Sequence, residues 1–196
     1  MSSKVLDIIG FLKLILEALK ASKVNYMIGG AIAEWAWGEP RATQDLDVVI
    51  NLPIKSIREF SKELEKRDML VPADIILDTI AEDRADIPLN AIHMHSGLKA
   101  DLYLMREGDA LRQRSFQRRI LIDYGRPIGK VYVHSPEDLI LYKLIYLGIS
   151  GQPKHARDIT AILKANRDKI DFEYIQEWVM QLGLSSTWEE LKGNIE

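Results

Sequence analysis

Two aspartates separated by one residue, Asp45 and Asp47, are the residues of this sequence best suited to metal chemistry. They begin an apolar run that ends at Ile50. Alternate side chains of a strand point to the same face, so both carboxylates are predicted on one side while Leu46 enters the core. Two carboxylates about 5 Å apart repel each other by roughly 3 kcal/mol at an effective dielectric constant near 20. The pair therefore predicts a cation bound between the two acids.

A third aspartate, Asp101, lies between Ala100 and Leu102 in another apolar stretch. A charged side chain is unusual in such a strand unless it has a partner. One interpretation is an ion pair, for instance with Arg41 or Lys143. The other is a third acidic ligand for the cation at Asp45 and Asp47, and the surrounding motifs favour it.

Two adjacent glycines precede the acidic pair. The apolar run 24–28 predicts a strand that ends on Gly29 and Gly30, and an alanine-rich turn of helix and a loop with Arg41 and Thr43 follow. Glycines allow the backbone to approach a ligand closely, and N–H groups at a helix N-terminus bind phosphate. A tight strand-to-helix turn without any ligand is the simpler interpretation of the glycines alone.

The hydrophobic pattern predicts an α/β (α+β) fold, in which helices flank a small mixed sheet and a helical cap lies at the C-terminus. Residues 1–134 are predicted to form the core and 135–196 a helical extension packed on it. The predicted strands are 24–28, 45–50, 89–95, 98–104, 120–123 and 130–133, with a hairpin turn at Ser96–Gly97. The predicted helices are 5–19, 54–66, 139–147, 154–165 and 172–182, and 69–86 is assigned as helix and loop.

The predicted C-terminal helices begin at a clear start signal. Ser135 is an N-cap residue, Pro136 takes the first helical position, and two acids follow in the first turn. The helix is apolar nearly all round, so it is predicted to be buried. Lys143 is its basic residue, and it either reaches the edge of the core or points at an anion.

A local basic cluster surrounds Phe116. Such runs are most often solvated helix faces, although arginines near an active site also hold the phosphates of a nucleotide or of RNA. The two interpretations stay open for this cluster, which consists of Arg106, Arg112, Arg114, Arg118 and Arg119.

The order Gly-Gly, loop, Asp-x-Asp and strand resembles the nucleotidyltransferase superfamily, which has the DNA polymerase β-like fold. The C-terminal pattern of Ser-Pro-Glu-Asp-Leu, Lys and Arg-Asp-Ile is similar to the tail of small bacterial and archaeal members, including AbiEii-type toxin relatives. The resemblance implies that Asp45, Asp47 and Asp101 hold Mg²⁺ (or Mn²⁺) and that Asp101 helps to deprotonate the acceptor. It further implies a nucleotide site formed by Gly29, Gly30, Arg41, Thr43, Lys143 and Asp158. There Lys143 would contact the triphosphate and Asp158 would orient Lys143 or the acceptor, whereas an ion pair with Arg157 or Lys154 is the structural alternative for Asp158.

The activity implied by this resemblance is Mg-dependent transfer of a nucleoside monophosphate from an NTP to an acceptor hydroxyl. A toxin-like member would modify tRNA or a protein and would have an antitoxin partner. The alternatives are an antibiotic-modifying nucleotidyltransferase and a nucleotide-binding module without turnover. A glycosyltransferase with an Asp-x-Asp metal site is a further alternative, but the upstream Gly-Gly helix counts against it.

Composition excludes several other classes. The 196-residue chain has no cysteine, which excludes disulfides and Cys-based zinc or iron–sulfur sites. Its net charge of -3 argues against a protein that coats nucleic acid by bulk electrostatics. The sequence has no P-loop motif, and its N-terminus lacks the features of a signal peptide or a membrane span. We therefore expect a cytoplasmic protein that does not bind membranes.

Overall fold

The computed structural model describes residues 6–82 and 86–193. Val5 and Asp83, which belong to predicted elements, lie outside these ranges. One mixed sheet of six strands forms the centre, with the spatial order β3-β4-β2-β1-β6-β5. The strands are β1 Asn25–Ile28, β2 Asp45–Asn51, β3 Leu89–Ile92, β4 Lys99–Leu104, β5 Ile120–Asp123 and β6 Lys130–Val133. The predicted α/β fold with a small mixed sheet is confirmed.

Helices cover this sheet. Those of the first part are α1 Ile8–Ala21, α2 Gly30–Glu34, α3 Ile57–Glu65, α4 Ala73–Ala81 and α5 Ala110–Arg118. The helices after β6 are α6 Pro136–Ser150, α7 Pro153–Asn166, α8 Phe172–Gln181 and α9 Ser185–Gly193. Short 3-10 turns occupy Ile54–Ser56 and Arg167–Lys169. Within the described residues, no helix combines the length and apolar character needed to cross a membrane.

The central strands of the sheet run in both directions, and the parallel pairs among them determine which residues lie side by side. β2 runs antiparallel to β1 and parallel to β4, and β1 is also parallel to β6. The outer pairs β3–β4 and β5–β6 are antiparallel. Parallel neighbours present corresponding residues side by side, so the start of β2 lies beside the start of β4.

The structure differs from the predicted elements in a few places. β3 ends at Ile92 rather than at His95, because the turn begins earlier: the His93 N–H bonds to Leu98 O and the Gly97 N–H to His93 O, each at 2.9 Å. Most of the basic cluster lies in helix α5, which Asp109 caps by accepting the Arg112 N–H at 2.9 Å. Neither α5 nor α9 was among the predicted elements.

Helix α6 begins where its start signal predicts. Ser135 Oγ accepts the Asp138 N–H at 3.2 Å, and the Tyr174 hydroxyl on α8 donates to Asp138 Oδ1 at 2.6 Å. The helix is buried from Pro136 to Leu141, and Lys143 and Leu144 are buried as well. α6 therefore carries Lys143 into the interior, beside α2 and α7.

Candidate active site

The three predicted acids meet on one face of the sheet. The parallel register of β2 and β4 places Asp47 opposite Asp101 and Asp45 opposite Lys99. Side chains two residues apart on a strand share a face, so these four side chains form one group. Asp45 is exposed and Asp47 and Asp101 are half-buried, while Leu46 between the first two is fully buried.

Lys99 is a member of this group that the sequence analysis missed. Its Nζ lies 2.9 Å from Asp101 Oδ2, so it is the ion-pair partner of Asp101 in place of Arg41 or Lys143. The hydrogen bond to Asp101 raises the pKa of Lys99, and the three carboxylates add to this rise. The signal was available in the sequence, because Lys99 precedes Asp101 by two residues on the same strand.

Asp47 lies at the centre of the acidic group. Burial raises the pKa of Asp47 to about 6, and the negative charges of Asp101 and Asp45 contribute to the shift. The raised pKa of Asp47 indicates that the repulsion among carboxylates inferred from the sequence is present in the folded chain. Thr43 fixes the backbone of Asp45, since its hydroxyl donates to Asp45 O at 3.1 Å and accepts the Asp45 N–H at 3.2 Å.

The Gly-Gly turn packs directly against Asp47. The Gly29 N–H donates to Asp47 O at 2.8 Å, and Gly30 has a φ of +55°. A Cβ atom on Gly30 would lie 1.9 Å from Asp47 Oδ2, and one on Gly29 would lie 3.0 Å from His134 Cε1. Gly30 is thus required by its backbone conformation and by packing, independently of any ligand, whereas a side chain at residue 29 would press on the His134 ring. Helix α2, which follows, is only five residues long.

Three buried charged side chains, Glu34, Lys143 and Asp158, and the exposed Arg41 form a cluster behind this turn. Lys143 Nζ lies 3.1 Å from Glu34 Oε2 and also contacts Asp158 Oδ2. Arg41 Nε is 3.5 Å from Asp158 Oδ1 and 3.8 Å from Glu34 Oε2. Burial is the main cause of a raised pKa at Glu34, which the charge of Lys143 opposes. Two cations and two carboxylates balance one another here, and the pairing of Asp158 with Arg157 or Lys154 was a wrong alternative.

Glu34 is the second residue that the sequence analysis missed. Its side chain is only 1% exposed, although it is an acid in an apolar helix. That isolation was a usable signal, because a buried carboxylate needs a cationic partner. Its partner Lys143 lies far along the chain, so the sequence alone did not connect them.

A cleft of about 360 Å³ opens above the acids and the Gly-Gly turn. Asp158 lies behind Lys143 rather than on the cleft surface, and the opposite wall comes from α6 and α7. The cleft is lined by every other predicted site residue, namely Gly29, Gly30, Arg41, Thr43, Asp45, Asp47, Asp101 and Lys143. The lining also includes Arg112 of the basic cluster and several residues without a prediction, namely Tyr103, His134, Tyr142, Tyr146 and His155.

Among the additional lining residues, His134 is the most deeply buried ionisable group. Both ring nitrogens are buried without a hydrogen-bond partner, and burial, aided by the charge of Arg112, lowers the pKa of His134 to about 3. The backbone is fixed on both sides, because the His134 N–H donates to Ile28 O at 3.0 Å and Trp37 Nε1 donates to His134 O at 2.8 Å. The imidazole is therefore neutral and supports the turn at Gly29.

Comparison with known proteins adds a structural likeness. No family model matches the sequence, and no curated protein matches it significantly. The solution structure of the antibiotic-resistance factor ANT(2'')-Ia matches with a TM-score of 0.61 and 16% identity, over 95% of this chain and 95% of that one. The crystal structure of ANT(2'')-Ia in complex with adenylyl-2''-tobramycin gives 0.60 and 15%, over 92% and 98%. ANT(2'')-Ia is an aminoglycoside nucleotidyltransferase.

The chain has the nucleotidyltransferase fold. A nucleotidyltransferase-like protein from Paracoccidioides brasiliensis also matches, with a TM-score of 0.44 and 17% identity over 92% of each chain. The likeness to ANT(2'')-Ia covers 95% of this chain, so the shared fold includes most of the helices that follow β6.

A divalent cation is the group that the nucleotidyltransferase fold implies at the acids. In residues 6–82 and 86–193, no three acidic or histidine side chains are gathered as closely as the ligands of a metal ion. The donor chemistry nevertheless fits, because oxygen ligands suit Mg²⁺ and the buried Asp101 Oδ1 has no hydrogen-bond partner. Lys99 already supplies a positive charge at this place. The chemistry of the three acids therefore fits a divalent cation, although their side chains are not gathered around one position.

The basic cluster has a mainly structural role in this nucleotidyltransferase fold. Arg106 donates to Ile80 O at 2.6 Å, Arg118 pairs with Glu137 at 3.0 Å, and Arg119 lies over the Phe116 ring at 4.2 Å. Arg114 is exposed on the surface, and Arg112 donates to Leu104 O at 3.2 Å and lines the cleft. The contacts of these arginines favour packing over phosphate binding for most of the cluster.

Gly30→Ala should destabilise the chain far more than a left-handed backbone alone explains. Strain at a positive φ costs about 1–2 kcal/mol, and the clash with Asp47 Oδ2 adds to it. The matched control is Gly97→Ala, whose φ is +71° but whose Cβ would meet nothing within 4 Å. Urea unfolding of both variants measures the difference. Equal losses at the two glycines would contradict the packing of Asp47 against Gly30.

Proposed function

We propose that this protein is a nucleotidyltransferase that moves a nucleoside monophosphate from an NTP to an acceptor hydroxyl. The observation that supports it most is the convergence of Asp45, Asp47 and Asp101 on one face, beside the Gly-Gly turn and at the floor of the cleft. The likeness to ANT(2'')-Ia over nearly the whole chain supports the same reaction class. The presence of all three acids favours turnover over a silent nucleotide-binding module.

The three carboxylates would hold Mg²⁺ or Mn²⁺. Such an ion neutralises the phosphate charge and favours the ionised form of the acceptor hydroxyl. Asp101 is the candidate proton acceptor, since its Oδ1 is unpaired and Asp47 lies beside it. The acceptor oxygen forms a bond to the α-phosphorus, the bond from that phosphorus to the bridging oxygen breaks, and pyrophosphate leaves. The acceptor proton passes to Asp101 and then to water.

Binding of the phosphates falls to the turn and to nearby cations. The backbone at Gly29 and Gly30 is accessible from the cleft, and Arg41 and Thr43 line the same wall. Arg41 is 41% exposed, whereas Lys143 is 6% exposed and held by two acids. Arg41 is therefore the cation better placed for the triphosphate. Lys143, with Asp158 behind it, would reach the phosphates only by loosening its contact with Glu34.

The acceptor divides the proposal into two branches. A small antibiotic-like acceptor is favoured by the likeness to ANT(2'')-Ia, whose crystal structure holds adenylyl-2''-tobramycin. Transfer to tRNA or to a protein is the toxin-like branch, which rests on the sequence resemblance to AbiEii-type relatives and would bring an antitoxin partner. A cytoplasmic location fits both branches.

Transfer of α-³²P label from each NTP, with Mg²⁺, is the direct test. The acceptor panel contains aminoglycosides, total tRNA, cell lysate protein and buffer alone, and Asp47→Asn serves as the inactive control. Label on one acceptor class, with release of pyrophosphate, supports the proposal and selects the branch. NTP binding without transfer to any acceptor would favour the silent module, and the absence of NTP binding would refute the proposal.

A further inference from the structure

Lys99 has an unusual place for a lysine. It lies opposite Asp45 in the β2–β4 register and two residues before Asp101, so it shares the face of all three acids. Its Nζ is 2.9 Å from Asp101 Oδ2, and its side chain is 37% exposed, compared with 14% for Asp101. The ammonium group is thus anchored to an acid of the cleft floor, while the lysine side chain as a whole remains partly exposed to solvent.

The single positive charge of Lys99 does not neutralise the three carboxylates on this face. Three carboxylates face a single lysine, and Asp101 Oδ1 stays without a hydrogen-bond partner although it is buried. A buried unpaired carboxylate oxygen is unfavourable, and a divalent cation offers it a stronger partner than a lysine does. A cation at the acids and Lys99 at Asp101 would repel each other strongly at contact distance.

We infer that Lys99 is a built-in competitor for the divalent cation, which occupies the cation position at Asp101 in the free protein and leaves it when metal and nucleotide bind together. The inference rests on the proposed function and adds a mode of regulation to the same site. The partial exposure of the Lys99 side chain lets the ammonium group swing away from Asp101, and a bound triphosphate supplies it with another anion.

Cooperative binding follows from this exchange. Metal alone has to displace the tethered ammonium group without offering it a new partner. Metal with nucleotide offers Lys99 the phosphates, so each ligand should tighten the binding of the other by the same factor. The free protein would then hold little metal until a nucleotide arrives.

Direct measurement of Mn²⁺ affinity by electron paramagnetic resonance tests the inference without any turnover. The samples are the wild type, Lys99→Met and Lys154→Met, each with and without a non-hydrolysable NTP analogue. Lys154 is the matched control, because it is an exposed lysine of the same cleft on α7 that has no contact with the three acids among the ion pairs of the described residues. Circular dichroism verifies that each variant is folded.

Lys99→Met is expected to bind Mn²⁺ about tenfold more tightly than the wild type in the absence of nucleotide, because a positive charge leaves the site. The tightening of Mn²⁺ by the NTP analogue should shrink in this variant, whereas Lys154→Met should resemble the wild type. Unchanged or weaker affinity in Lys99→Met, or an equal gain in Lys154→Met, would overturn the inference while leaving the proposed function intact. Failure of all three proteins to bind Mn²⁺ would overturn the inference and would also remove the metal from the proposed function.

Discussion

Asp47→Asn is expected to lower nucleotidyl transfer by about 10³-fold or more, because it removes a charge from the centre of the cation site. Asn has nearly the same shape as Asp, and the hydrogen bond from Gly29 to the backbone oxygen of residue 47 is retained. The loss should appear in kcat/KM for transfer at pH 7.5. The amount of folded protein should not fall in this variant.

The same substitution should stabilise the fold at neutral pH. Burial and the charges of Asp101 and Asp45 raise the pKa of Asp47 to about 6. The folded chain therefore holds this proton more tightly than the unfolded chain, whose Asp pKa is about 3.9. Stability is unaffected by Asp47 below about pH 4, falls as pH rises from about 4 to 6, and carries the full penalty above that range. At pH 7 Asp47→Asn should be about 1–3 kcal/mol more stable than the wild type.

Urea unfolding in EDTA at pH 4, 5, 6 and 7.5 measures this difference. The gain should be absent at pH 4 and should grow with pH, and Mg²⁺ should reduce it because the ion stabilises only the wild-type acids. Asp45→Asn is the control: its side chain is exposed, so activity should fall with a smaller change in stability. An Asp47→Asn variant that is less stable than the wild type at pH 7 would show that Asp47 is a structural acid.

The pairing of Asp45 with Asp47 was predictable because it depends on strand periodicity alone, whereas Asp101 was assigned to the same group from the surrounding motifs. The period of two places Asp45 and Asp47 together, and the parallel register then brings Asp101 beside them. The same rule applied to β4 places Lys99 on the face of Asp101, because the two residues are two positions apart on one strand. The sequence thus contained the whole group, including the lysine that complicates a simple metal site.

The cluster behind the turn was not predictable in this way. Lys143 and Asp158 were selected through the resemblance of the C-terminal helices, but Glu34 joins them only through the packing of α2 against α6. Contacts between residues more than 100 positions apart, such as Lys143 with Glu34, leave no local periodicity in the sequence. The neutral His134 was missed for the same reason, since it reaches the turn through the pairing of β6 with β1.

Lys143→Met should destabilise the protein by about 3–5 kcal/mol at pH 7, because it leaves two buried carboxylates without their main cation. The side chains of Glu34 and Asp158 are 1% and 7% exposed, and Lys143 contacts both. Arg41 would remain, but its Nε is 3.8 Å from Glu34 and 3.5 Å from Asp158. Urea unfolding measures the loss, with Lys164→Met on the exposed face of α7 as the matched control.

The pH dependence of that loss identifies its cause. Burial already raises the pKa of Glu34, and removal of the Lys143 charge, which lowers that pKa, should raise it further. The folded Lys143→Met variant therefore takes up a proton more readily than the unfolded chain, so its deficit should shrink as pH falls from 7 to 5. Adding Glu34→Gln and Asp158→Asn should restore much of the stability at pH 7. If Lys143→Met were instead as stable as Lys164→Met and lost only NTP affinity, Lys143 would be free to bind the triphosphate, as the sequence resemblance implies, and the ion cluster would contribute little to stability.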